Sequence, residues 1–164
     1  MTEEGRVKRG SPVARAALLA YLLLIVYASL YPFSGWHSQG LSPLIFLEHT
    51  GLPRYWTLFD AVINVIGYIP FGMLLVYAMR PQVRDMWGFL LASLAGVLVS
   101  GSMEAAQTYL PSRVSSNLDF YTNAAGCTIG ALIGTLRARK LMDTSHLYKL
   151  RQRWFAQHAS QGLV

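Results

Sequence analysis

The chain is 164 residues long, 53% hydrophobic and 13% charged, with a mean hydropathy of +0.34. A soluble domain of this length carries about 25% charged residues, so the composition argues against a soluble enzyme and for a single membrane domain. The net charge of +6 suggests a nucleic-acid partner only until the cations are placed along the chain, and the lone cysteine, Cys127, excludes an intramolecular disulfide and a CxxC-type metal site.

A helix needs roughly 20 apolar residues to cross a hydrocarbon core about 30 Å thick. Taken in order, four stretches qualify: about Ala14 to Phe33, closed by Tyr31-Pro32; about Leu58 to Met79; about Trp87 to Met103; and about Leu118 to Leu136. The third is short, and a helical continuation through Glu104, Ala105, Ala106 and Gln107 brings it to length, which places Glu104 near a membrane surface. Lys and Arg in short flanking loops mark the cytoplasmic side. Twelve of the fourteen, from Arg6, Lys8, Arg9 and Arg15 through Arg80 and Arg84 to the cluster that begins at Arg137, fall on one side, and only Arg54 and Arg113 on the other.

The expected class is an all-α integral membrane protein of the plasma membrane. Four transmembrane helices form two tandem hairpins, with both termini cytoplasmic and the loops near 34–57 and 108–117 facing outward. An N-terminal tail of residues 1–13 and a basic tail of 137–164 flank a membrane domain over 14–136. The positive charge then reads as membrane orientation, with no nucleic-acid partner. The start also has the outline of a signal peptide, with Val26-Tyr27-Ala28 as a weak cleavage site, but the apolar run is nearer spanning length. In the tail, Leu147, Leu150 and Trp154 stand at helical spacing among Lys149, Arg151 and Arg153. An amphipathic helix on anionic lipid and a solvated tail both fit that pattern.

The second and fourth spans open on one repeated pattern: Asp60-x3-Asn64-x2-Gly67 and Asp119-x3-Asn123-x2-Gly126. Spacings of four and three put Asp, Asn and Gly on one helical stripe. Each Asp is expected at the outer interface and each Asn about one turn deeper. Gly126, Gly130 and Gly134 continue the stripe, and the third span carries Gly88, Ala92, Gly96, Ser100 and Glu104 every four residues. Small residues let membrane helices approach closely. Packing of the third span on the fourth along these stripes would gather Glu104, Asp119 and Asn123, and the glycine faces could also serve a second copy of the chain. Pro70 is expected to kink the second span, and Cys127 to be a packing residue. His37 and His49 lack ligand spacing, so no metal and no cofactor is expected.

Asp60, Asn64, Glu104, Gln107, Arg113, Asp119 and Asn123 all fall at or just below the outer surface. One account is architectural: Asp60 and Asp119 cap their helices, the amides bond between helices and Arg113 neutralises Glu104 or Asp119. The other is a site for a polar head group, a lipid-linked ligand or a peptide, with Arg113 as an anion-binding fork. A desolvated Glu104 could also act as general acid or base in a hydrolase or transferase working on a lipid-linked substrate. No serine elbow, Walker loop or dinucleotide fingerprint supports a specific reaction, and a proton-coupled carrier would lack a relay path through the inner leaflet.

Asp60-x3-Asn64 followed by Ile69-Pro70-Phe71-Gly72, then Glu104-x2-Gln107, Arg113, Asp119-x3-Asn123 and the glycines at 126 and 130 form an ordered set, preceded by Tyr31-Pro32-Phe33. In these residues, over roughly 18–136, the chain resembles the VanZ-like family of small polytopic membrane proteins, named after a protein associated with low-level teicoplanin resistance. The resemblance implies a membrane location and a role at the cell envelope, with antibiotic resistance the association of one branch. The first outer loop, Leu41 to Pro53, and the basic tail depart from the family's pattern. Binding or scaffolding at the envelope, with membrane lipids as partners, is the first functional expectation, and lipid-linked chemistry at Glu104 the second.

Overall fold

The computed structural model describes residues 11–48, 51, 53 and 56–142. The amphipathic pattern around Leu147, Leu150 and Trp154, together with Arg54 and His49, lies outside the described residues. Five helices and no strand occur among them: α1 (Pro12–Leu30), α2 (Ile45–Glu48), α3 (Leu58–Met79), α4 (Asp85–Gln107) and α5 (Asn117–Met142).

Local chemistry sets the helix ends. Ser11 caps α1 by accepting from the Ala14 N–H at 3.3 Å, with Pro12 at the first helical position, where a missing donor costs nothing. At the start of α3, Thr57 and Asp60 form a reciprocal capping box: Thr57 Oγ1 accepts from the Asp60 N–H at 3.1 Å, and Asp60 Oδ2 accepts from the Thr57 N–H at 3.1 Å. α3 then runs unbroken through Pro70. α4 continues through Glu104 to Gln107, as its sequence requires to reach spanning length.

α1, α3 and α4 are long and apolar enough to cross a membrane. α5 covers the fourth expected span but is not among those three. It carries Asn117, Asp119, Thr122 and Asn123 in its first turns and a run of small residues after them. The packing accounts for that composition, because α5 lies most extensively along α3 and also along α4. Its buried positions, among them Asn123, Cys127, Ala131, Thr135 and Ala138, recur at spacings of four and three residues. Much of its surface meets protein and has no need to be apolar.

The packing corrects one expectation. The α4 stripe of Gly88, Ala92, Gly96, Ser100 and Glu104 is buried, and Cys127 of α5 fits between its small residues, with Sγ 3.5 Å from the Ala92 carbonyl. The glycines of α5, however, face α3. A methyl group at Gly126 would run into the Val65 carbonyl, and one at Gly130 into the Ile69 carbonyl. Successive helical residues point about 100° apart, so Gly126 and Cys127 address different neighbours, and the glycine stripe is taken up within the chain. The most extensive helix contact thus joins the second and fourth apolar stretches, across the two expected hairpins. Cys127 is fully buried, as a packing residue should be, and Ile25, Tyr68 and Phe71 complete its core cluster.

Candidate functional site

α1 packs on α3 and α4, and its backbone stays apart from that of α5. The space left between them, floored by α3 and α4, is a cavity of about 410 Å³. Asn64, Glu104, Gln107, Arg113, Asp119 and Asn123 all line it, brought together from α3, α4, α5 and the connection before α5. Asp60 is not part of the wall, since its carboxylate is turned back onto Thr57 in the capping box.

Each polar group has a definite arrangement. Asp119 Oδ1 accepts from Asn64 Nδ2 at 2.9 Å, so the aspartate of one repeat holds the asparagine of the other. Glu104 is 2% exposed, and its Oε2 accepts from the Ser116 N–H at 2.7 Å, fastening the connection after α4 to that helix. Gln107 Nε2 donates to the Ser29 carbonyl at 3.1 Å. Ser116 Oγ accepts from the Asp119 N–H at 3.3 Å and covers the first turn of α5, so Asp119 is not its own helix cap.

Arg113 departs from the expected ion pair. Its Nε donates to the Tyr31 carbonyl at 3.0 Å and its Nη2 to the Ala28 carbonyl at 2.8 Å. These are carbonyls of the last turn of α1 and its cap, which lack partners inside the helix and carry the negative end of its dipole. A guanidinium placed there is well stabilised without a carboxylate.

Two buried polar atoms in the cavity wall lack a hydrogen-bond partner: Asn123 Oδ1 and the Tyr68 hydroxyl. Tyr68, Tyr21 and Ser29 line the cavity although the sequence reading passed over them. Tyr68 had a signal, since it stands four residues beyond Asn64 on the same helical stripe. Tyr21 donates to the Gly67 carbonyl at 2.7 Å and ties α1 to α3 beside the cavity.

A second cavity of about 520 Å³ lies under the connection between α1 and α3, between Gln39, Ile45 and Phe46 on one side and Val114, Ser115 and Asn117 on the other. Gln107 and Arg113 border both cavities. The loop is tied down by Gln39 Nε2, which donates to the Thr108 carbonyl at 2.9 Å, and by Asn117 Nδ2, which donates to the Gly51 carbonyl at 2.8 Å. No group of three or more His, Cys, Asp or Glu among the described residues could hold a metal ion.

The search of curated proteins and the search of solved structures return no match. A family model described as VanZ/LLP1 matches residues 17–138, which take in α3 and α4, most of α1 and α5, and every residue of the cavity wall. With most of its length matched, the chain belongs to the VanZ/LLP1 family.

Proposed function

We propose that this chain is a multi-pass plasma-membrane protein of the cell envelope that binds the polar head group of a lipid or lipid-linked ligand in the cavity between α1 and α5. One observation carries the reading: six polar side chains from separate stretches of sequence converge on one cavity in a chain otherwise made of apolar helices. Polar groups inside a membrane domain are expensive and mark functional sites by default. α5 serves as the fourth span, sheltered by α3 and α4. Arg15 Nε donates to the Ala78 carbonyl at 3.4 Å, which sets the start of α1 beside the end of α3, and Arg80, Arg84 and Arg137 belong to the same side in the charge pattern. That end is cytoplasmic in this reading, and the cavity lies toward the outer leaflet.

Native mass spectrometry of the gently extracted protein tests the binding reading: a lipid or lipid-linked adduct is expected, reduced in Asp119→Asn. Extraction without any adduct in several mild detergents would refute it. Impermeant thiol labelling of single cysteines, with Cys127 replaced, tests the topology. Positions within 38–48 and 110–116 should label in intact cells, and a cysteine at Ser160 should not. Teicoplanin susceptibility of cells with and without the protein tests whether the family's resistance association extends to this chain.

A further inference from the structure

Two properties of the cavity say which head group it suits. The first is where it opens. Leu24 of α1 and Ile63 of α3, apolar and 55% and 49% exposed, belong to its wall, so the wall is not sealed where these two helices border it. The cavity thus reaches the apolar outside of the helix bundle at the seam between α1 and α3. A head group can enter there while its acyl chains stay in the bilayer.

The second is an excess of acceptors, against which the wall sets the unpartnered Tyr68 hydroxyl as a neutral donor. Two carboxylates, Glu104 and Asp119, share the cavity with one guanidinium, and that guanidinium turns two of its donors to the carbonyls of Ala28 and Tyr31. Asn123 is 6% exposed, and its Oδ1 has no donor facing it. Buried acceptors and buried negative charge both call for a partner that brings N–H groups and positive charge. An arginine has five N–H donors, so Arg113 retains some for an anion at the rim.

We propose that the occupant is the primary-ammonium head group of a zwitterionic phospholipid, entering between α1 and α3, with its N–H groups on Glu104, Asp119 and Asn123 and its phosphate on Arg113. The inference rests on the head-group reading above and narrows it to one chemistry. Phosphatidylcholine keeps the same charges but has no N–H to donate, and phosphatidylglycerol keeps the phosphate and loses the ammonium.

The full chain in nanodiscs containing phosphatidylethanolamine, phosphatidylcholine and phosphatidylglycerol of matched acyl chains provides the test, read as the lipid retained in native mass spectrometry. Phosphatidylethanolamine should be retained about tenfold over either competitor, a difference small enough to arise from two or three head-group contacts. Asn123→Leu should bring that ratio close to one while leaving the melting temperature in lipid-free detergent unchanged, because the replaced oxygen bonds to nothing in the folded chain. If Asn123→Leu fails to fold, Asp119→Asn, which keeps an oxygen for Asn64, should lower the ratio in its place. Equal retention of phosphatidylcholine would overturn the donor argument. A preference for phosphatidylglycerol would overturn the ammonium and leave the head-group reading standing, whereas retention of no lipid would remove both.

Discussion

Asn64 and Asp119 occupy different positions in the two copies of one sequence repeat, and they bond to each other: Asn64 Nδ2 donates to Asp119 Oδ1 at 2.9 Å. The reciprocal pair does not form. Asp60 is engaged by Thr57, and Asn123 Oδ1 is left without a partner. Asp60 thus serves the start of its own helix, Asn64 and Asp119 join α3 to α5 while lining the cavity, and Asn123 lines it alone. Side-chain hydrogen bonds between membrane helices average about 0.6 kcal/mol and reach about 1.7. Asn64→Leu should therefore lower stability by about 0.5–2 kcal/mol in thermal or denaturant unfolding of the detergent-solubilised chain. Asn64→Asp should cost more, since it sets two carboxylates against each other, and adding Asp119→Asn should recover most of that loss. A double variant no better than Asn64→Asp alone would show that the contact contributes little.

Arg113 secures the end of α1 through the carbonyls of Ala28 and Tyr31. Hydrogen bonds to a charged group contribute about 1.5–3 kcal/mol each at most, so Arg113→Gln should destabilise the chain by about 1–3 kcal/mol. It should also speed thiol labelling of a cysteine placed at Ser29. Arg113→Lys should restore only part of this, because an ammonium is a point donor without the guanidinium's planar fork. Labelling rates equal to the parent's would mean that α1 is held by its contacts with α3 alone.

Gly130 abuts the Ile69 carbonyl, a backbone atom that cannot rotate away. Gly130→Ala should force α3 and α5 apart and cost about 1–3 kcal/mol, the usual range for overpacking. Gly67→Ala, at a helical position of α3 with nothing within 4 Å of its would-be side chain, supplies a control free of that clash. Unchanged unfolding of Gly130→Ala would contradict the close α3–α5 approach.

Glu104 separates architecture from chemistry. Its Oε2 holds the Ser116 N–H, and a glutamine carbonyl can do the same, so Glu104→Gln should preserve abundance and melting temperature. Glu104→Leu leaves a buried N–H without an acceptor and should cost about 1–3 kcal/mol. Since Arg113 bonds to backbone carbonyls, the effects of Glu104→Gln and Arg113→Gln on stability should add to within about 0.5 kcal/mol. A coupling well above that would reinstate the ion pair. Loss of an envelope phenotype in stable Glu104→Gln would show that the charge itself is needed.

The helices were legible wherever apolar length decided the matter. The bounds expected for the second stretch, Leu58 to Met79, are those of α3, and the extension of the third through Glu104 follows from the length a span requires. The convergence of Asn64, Glu104, Asp119 and Asn123 was legible because a repeat on helical spacing puts them at one end of the bundle. Partner choice was not. A glycine stripe says that something approaches closely, and both α3 and α4 could have been that neighbour of Gly126 and Gly130. The pattern Asp-x3-Asn cannot distinguish an aspartate that turns back onto a preceding threonine, as Asp60 does, from one that reaches another helix, as Asp119 does. Arg113 misled for a related reason: its carbonyl partners belong to every sequence alike and leave no mark in any one of them.

The enclosure of α5 by α3 and α4 bears on how the protein is made. A segment with Asp119, Asn123 and several threonines among small residues has a weaker claim on lipid than its three companions. In the four-span reading it gains its place from walls synthesised before it, because α3 and α4 leave the ribosome first. Its entry into the bilayer is then a docking event onto a partly built protein, and not the independent partitioning that suffices for α1. Expressed apart from α3 and α4, α5 would be expected to slip back to the aqueous side, while fragments cut within 108–116 and produced together could still reassemble.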